Sequence, residues 1–121
     1  MLQNEAMHEL SIAIQIVEIV EEEASNADAE SITKLELDIG LLSGIEPDAL
    51  EFAMEEAIRD SLLEKTHIVY NYIKAVVVCE ECCNEFDTDD YFNSCPYCNS
   101  LKTIFIKGKE LNIKSIEILK Q

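Results

Sequence analysis

The sequence predicts an α+β fold carrying a small inserted metal ribbon of zinc-ribbon or rubredoxin-like type. Three observations predict it. Two stretches repeat apolar residues with helical period, at 8–24 and 47–60. Separate stretches alternate with period two and are rich in β-branched residues, near 33–39, 67–78 and 103–119. Between the last two lie paired cysteines, Cys79-Glu-Glu-Cys82 and Cys95-Pro-Tyr-Cys98. The chain has 121 residues, of which 48 % are apolar and 28 % charged, enough for one domain with a real core.

In the first helix Leu10, Ala13, Ile14, Val17, Val20 and Ala24 fall on one stripe. Ile12, Ile16 and Ile19 widen it, which predicts two covered faces. Glu21, Glu22 and Glu23 sit at its C-terminal end, against the helix dipole. The turn-like run SNADAES ends it. In the strand that follows, Thr33, Leu35, Leu37 and Ile39 face one way and Lys34, Glu36 and Asp38 the other. Gly40 and Gly44 bracket a loop, and Pro47 takes the first position of the second helix. Leu50, Met54, Ala57 and Ile58 form that helix's apolar face, with Phe52 at its edge. After the cysteines, 103–106 and 109–119 suggest a hairpin-like return. In the last strand Leu111 and Ile113 share one parity, Ile116 and Ile118 the other. Such a slip needs a bulge or bend near Lys114 and Ser115.

Net charge is −16, from nine basic and 25 acidic residues. This excludes a general nucleic-acid binder, which needs Lys and Arg to displace counterions. It also disfavours an anionic membrane surface. No apolar run reaches the ~18 residues of a membrane span, and MLQNEAMHEL has no signal-peptide pattern. A cytoplasmic location is expected. The charge is uneven: residues 102–121 carry five lysines and two acids, a net of +3, which leaves −19 on residues 1–101. Acidity of that strength favours solubility and cationic partners, metal ions or a basic protein face.

Each C-x-x-C aims two sulfurs at one point, and two facing turns make a tetrahedron of sulfur. That is the geometry of structural zinc or of a single iron. A disulfide framework does not suit a cytosolic protein, and a thioredoxin-like redox pair accounts for one C-x-x-C only. Zinc at Cys79, Cys82, Cys95 and Cys98 is the preferred reading. Iron is kept as the alternative, since Cys-Pro-Tyr-Cys also resembles the rubredoxin knuckle; Phe86, Tyr91 and Phe92 would then be its only shield. A closed site does no chemistry but supplies folding energy that a lobe of ~30 residues cannot gain from its own core. Residues 79–98 hold six acids and no base, so backbone N–H groups must stabilise the thiolates. Cys83, next to Cys82, occupies the place where such a turn prefers Gly and is read as a bystander.

Met7-His8-Glu9 opens the first helix. A lone His near a terminus is ordinarily solvated. Imidazole is also a common nickel ligand, and with an amine and an adjacent backbone nitrogen it forms the square-planar set that Ni(II) prefers. His67 has no such setting and reads as a strand residue.

Taken together, MHELSIAIQIVEIV (7–20), LELDIGLLSGIEPDALEFAME (35–55), the CEEC and CPYC pairs and GKELNIKSIEI (108–118) resemble the HypA/HybF family of hydrogenase nickel-incorporation proteins. The resemblance implies a nickel metallochaperone that helps insert Ni(II) into the [NiFe]-hydrogenase large subunit, working with a maturation GTPase. In some nickel-delivery systems urease is served too. It implies a nickel lobe of two helices on a small sheet, here 7–72 plus 109–121, and a zinc lobe at 73–108. The nickel ligand falls on His8, with backbone nitrogens around Met7 and Glu9. The zinc ligands fall on Cys79, Cys82, Cys95 and Cys98. The family's chain begins at the Met of Met-His-Glu, whereas here residues 1–6 come first as an extension. The expectation is that translation in the cell begins at Met7, which restores the amine beside His8. Asn99 stands where a knuckle Gly is usual, a mild departure because Asn tolerates the left-handed region.

The main alternative is a zinc-ribbon module for protein–protein interaction without nickel delivery. A rubredoxin-like electron carrier is a second. An enzyme is not expected, for the chain has no nucleophile–base signature, no phosphate loop and no open metal cluster.

Overall fold

The computed structural model describes the backbone of residues 5–120 and the side chains of residues 8–120. The element order is α1 (Glu5–Asn26), β1 (Ala29–Gly40), α2 (Pro47–Ala57), β2 (His67–Ile73), β3 (Ala75–Cys79), β4 (Glu85–Thr88), β5 (Thr103–Lys107) and β6 (Leu111–Lys120). The strands form two three-stranded sheets, β2-β1-β6 and β4-β3-β5. The chain divides into two compact units, one of Met1–Leu37, Ile45–Val69 and Ile113–Gln121, the other of Asp38–Gly44 and Tyr70–Asn112.

In the first unit α1 packs on α2. Ala13, Ile16, Val17, Val20 and Ala24 of α1 are buried with Leu50, Ala53 and Met54 of α2 and Leu35 and Leu37 of β1. Leu10, Ile14 and Ile19 are exposed, so α1 buries one stripe rather than two faces. On β1 the buried alternation is Leu35, Leu37, Ile39. Thr33 falls outside it and donates its hydroxyl to the Glu117 carbonyl at 3.1 Å. Pro47 opens α2 as the spacing predicts, and Glu46 caps it, accepting from the Asp48 and Ala49 N–H groups. The helix stops at Ala57, three residues short of the expected end, as Asp60 turns into the left-handed region. The acidic end of α1 has a use: Glu21 Oε2 accepts from the Leu62 N–H at 3.0 Å.

In the second unit β3 is the centre of an antiparallel ribbon, its Val77 opposite Phe86 of β4 and Phe105 of β5. Ala75, Val77 and Cys79 alternate inward and are buried. The register with β5 shifts between Val76 and Val77, where Ile106 is the extra residue.

Two expectations about strands are corrected. The β-rich run 67–78 is two strands in different sheets, divided at Lys74. The segments after the cysteines make no hairpin with each other: β5 pairs β3 and β6 joins β1. The cause is the turn at Gly108, at φ +107. There Gly40 N–H donates to Glu110 O at 2.7 Å and Leu42 N–H to Gly108 O at 2.7 Å. A Cβ on Gly40 would come within 2.1 Å of Gly108 O, and one on Gly108 within 2.2 Å of Ala75 Cα. Only bare backbones can cross at this point. The predicted phase slip in β6 is present as a change in burial parity between Ser115 and Ile116.

Candidate metal centres

Two near-identical turns bring the four cysteines together. In the first, Cys79 ends β3, its carbonyl accepts from the Cys83 N–H at 2.9 Å, and its own N–H donates to Asn84 O at 3.0 Å. In the second, the Cys95 carbonyl accepts from Asn99 N–H at 2.7 Å and Cys95 N–H donates to Ser100 O at 2.8 Å. Cys83 and Asn99 occupy matching places, with φ +66 and +64. Each turn closes by a left-handed residue one position after its second sulfur. The Cys83 side chain points to solvent and takes no part in the cluster.

The sulfurs of Cys79, Cys82, Cys95 and Cys98 lie within 4.8 Å of one another. Two edges are short, Cys79 to Cys98 at 3.6 Å and Cys82 to Cys95 at 3.5 Å. Zinc–thiolate bonds of about 2.3 Å arranged as a tetrahedron give sulfur–sulfur edges of about 3.8 Å, so the donor set fits a tetrahedral ion. Cys79 and Cys95 are fully buried, whereas Cys98 is exposed. Residues 79–98 contain no lysine or arginine to offset the charge. Cys82 N–H points at Cys79 Sγ (3.5 Å), Tyr97 N–H at Cys95 Sγ (3.4 Å), and Asn84 Nδ2 at Cys82 Sγ (3.3 Å). These are the neutral donors that the absence of nearby cations required.

The same contacts split the thiols. The Asn84 backbone N–H holds Cys82 down to about 7, helped by bonds from Cys95, the Asn84 side chain and Cys79. Cys98 also receives a backbone N–H bond, from Ser100, which favours its thiolate. Its contacts with Cys79, Cys95 and Cys82, together with desolvation, outweigh that bond and push it up to about 12. Without a metal, Cys82 gives up its proton readily and Cys98 keeps its own.

His8 lies in the first turns of α1, with its side chain 58 % exposed. The Met7 and His8 backbone nitrogens lie in the first described turn of α1. Of the extension, residues 1–4, including the chain's amine, lie outside the described residues, and Glu5 and Ala6 are described only as helical backbone.

Glu9, beside His8, is fully buried, which sequence reading missed. Its Oε2 accepts the Glu46 N–H at 2.8 Å, at the N-terminus of α2, where the helix dipole favours negative charge. Oε1 has no hydrogen-bond partner among the described residues and lies 3.9 Å from His8 Nδ1. A buried carboxylate tied to the neighbouring helix thus fixes the residue next to an exposed imidazole. The only available signal was Glu9's position one turn before Ala13 on the buried stripe. His67, at the start of β2, is exposed and joins neither group.

An α+β chain with a ribbon built around four convergent sulfurs is a metal-binding protein with a closed, tetrahedral thiolate site. Residues 7–118 match the family model described as hydrogenase/urease nickel incorporation, metallochaperone, hypA. The chain belongs to this family. It is 49 % identical over 115 residues to the Hydrogenase maturation factor HypA of Parabacteroides distasonis, covering 95 % of this chain and 100 % of that one. It is 37 % identical to the protein of the same name from Prosthecochloris aestuarii, covering 93 % and 99 %. The fold is that of the Ni metallochaperone HypA from Helicobacter pylori in solution, with TM-score 0.67 and 23 % identity over 93 % of this chain and 98 % of that one. No helix among the described residues is long and apolar enough to cross a membrane.

Proposed function

We propose that this chain carries Ni(II) to the [NiFe]-hydrogenase large subunit during maturation, with His8 as cargo ligand and structural zinc at Cys79, Cys82, Cys95 and Cys98. Family membership makes nickel the expected cargo. The observation that carries the ligand assignment is His8 itself: an exposed imidazole in the first turns of α1, beside buried Glu9, whose carboxylate accepts the Glu46 N–H. A protein starting at Met7 would add its amine to this set. The nickel role falls to residues 7–72 plus 109–121 and the zinc role to 73–108.

Delivery needs a site that holds its ion yet lets it go. Nitrogen donors on one open side of a helix end can be taken over, one at a time, by ligands of the acceptor. Protonation of the imidazole removes its lone pair, so nickel affinity falls as pH falls. Zinc, where bound, supplies folding energy and no redox chemistry. The expected partners are a maturation GTPase, the hydrogenase large subunit and, where urease is served, its nickel-delivery machinery. The acidic surface docks a basic face of the GTPase, so that complex should weaken as salt rises. All five cysteines are free, which suits the reducing cytoplasm.

The test is a Ni(II) titration by calorimetry on zinc-loaded protein starting at Met7, with its free amine verified by mass and His8→Ala alongside. The expected result is one tight site that the variant loses. A folded, zinc-loaded protein with no nickel site would instead leave a zinc-ribbon interaction module.

A further inference from the structure

β5 pairs with β3 on one side only, so its other row of backbone N–H and C=O groups faces outward. Soluble proteins usually blunt such edges with charge. Here Lys107 does so at one end, and Ile106 adds a bulge. Between Thr103 and Lys107 the strand is apolar: Ile104 and Ile106 are each 50 % exposed. A groove follows the strand in two adjoining parts. One, of about 460 Å³, is lined by residues 103–107 with Lys109 and Glu110. The other, of about 290 Å³, shares Thr103 and Phe105 and runs to Leu101 and Phe92. Phe92 is 95 % exposed. One wall is already ordered. Tyr91 meets Phe105 edge-to-face at 6.5 Å, Lys109 Nζ lies 5.0 Å from the Phe105 ring centre, and the Tyr91 hydroxyl donates to the Leu42 carbonyl. A wall fixed in advance lowers the ordering cost of binding.

The charge around this edge opposes that of the molecule. Residues 102–109 hold three lysines and no acid, in a chain of net charge −16. Lys102 reaches Glu81 at 3.8 Å, whereas Lys107 has no ion pair among the described residues. We propose that β5 is a docking strand for an extended acidic segment of a partner protein, which joins the β4-β3-β5 sheet as a fourth strand. Main-chain hydrogen bonds would supply affinity, and alternate apolar side chains would fill the groove. Carboxylates beside Lys107 and Lys109 would set register and choice of partner. A second copy of this chain fits poorly. Two copies, each of net charge −16, repel one another.

The test uses ¹⁵N-labelled, zinc-loaded full chain and a synthetic peptide of about ten residues alternating Val with Glu, enough for one strand. A matched peptide replaces Glu with Lys. The expected result is that the acidic peptide shifts the amides of residues 103–109 and slows their hydrogen exchange, while the basic peptide does neither. Lys107→Glu should weaken the acidic peptide by about tenfold and allow the basic one to bind; Lys120→Glu should change nothing. Equal response to both peptides, shifts confined to other strands, or no binding at millimolar peptide would overturn the proposal. So would a concentration-dependent dimer, seen by sedimentation, that Lys107→Glu abolishes, since the edge would then belong to a second copy.

Discussion

Around the cysteines, four ligands come from two turns of the same design, two of them fully buried and all four sulfurs receiving N–H donors. At His8 a single exposed ring stands at a helix start, and the order is underneath it, in Glu9. The first arrangement surrounds an ion from all sides and leaves no position for an incoming ligand. In the role proposed for His8, the second presents its ion from one side and leaves the rest open. Retention and transfer call for these opposite geometries, and the proposed roles follow that difference.

The largest effect is expected from breaking the cage. Cys95→Ser should lose the metal and melt the ribbon of residues 70–112, because structural zinc contributes about 10–16 kcal/mol to such lobes, comparable to or above a small domain's whole stability. Metal analysis and amide spectra would show this. The helical circular dichroism of α1 and α2 should survive if the two units fold separately.

Next comes the support beneath His8. Glu9→Ala leaves the Glu46 N–H without its acceptor and should cost about 1–3 kcal/mol in urea unfolding. Glu9→Gln keeps an acceptor oxygen and should cost less. His8→Ala, by contrast, should leave stability unchanged and remove nickel only.

Proton release distinguishes the cage further. A thiol held near 12 is protonated at neutral pH, so metal entering must expel the Cys98 proton. For each proton expelled, zinc affinity should fall about tenfold per unit drop in pH. Calorimetry in buffers of different ionisation enthalpy would count the protons. A count of zero would contradict the shared-thiol picture.

The smallest effect concerns Cys83. At φ +66 a non-glycine side chain is strained, so Cys83→Gly should stabilise the ribbon by up to about 1 kcal/mol with zinc content unchanged. Cys82→Ser should lose the zinc.

The sequence was most legible where spacing alone carries geometry. The two C-x-x-C pairs specify convergent sulfurs, and the structure brings those four together while Cys83 stays outside. Pro47 marks the start of α2 because its fixed φ suits only a first helical turn. Pairing was less legible. The run 67–78 has strand composition throughout, and nothing in it shows that Lys74 divides two sheets. The hairpin expected after the cysteines failed because a crossing at Gly40, Ala75 and Gly108 redirects the chain, and that contact joins residues far apart in sequence. Glu9 was missed for a related reason. A carboxylate reads as solvated unless its acceptor role toward a distant N–H is visible, and Glu46 lies 37 residues away. The exposed Ile14 and Ile19 show the converse: periodicity marks what can be buried, while the number of neighbouring elements decides what is.

The most direct test of the division between cage and open end is X-ray absorption at the nickel and zinc edges of one sample, carrying one of each ion on protein starting at Met7. The prediction is a nickel shell of nitrogen and oxygen only, with an imidazole signature that His8→Ala removes, beside a zinc shell of four sulfurs. Sulfur in the nickel shell, or a zinc shell that changes with His8→Ala, would contradict it.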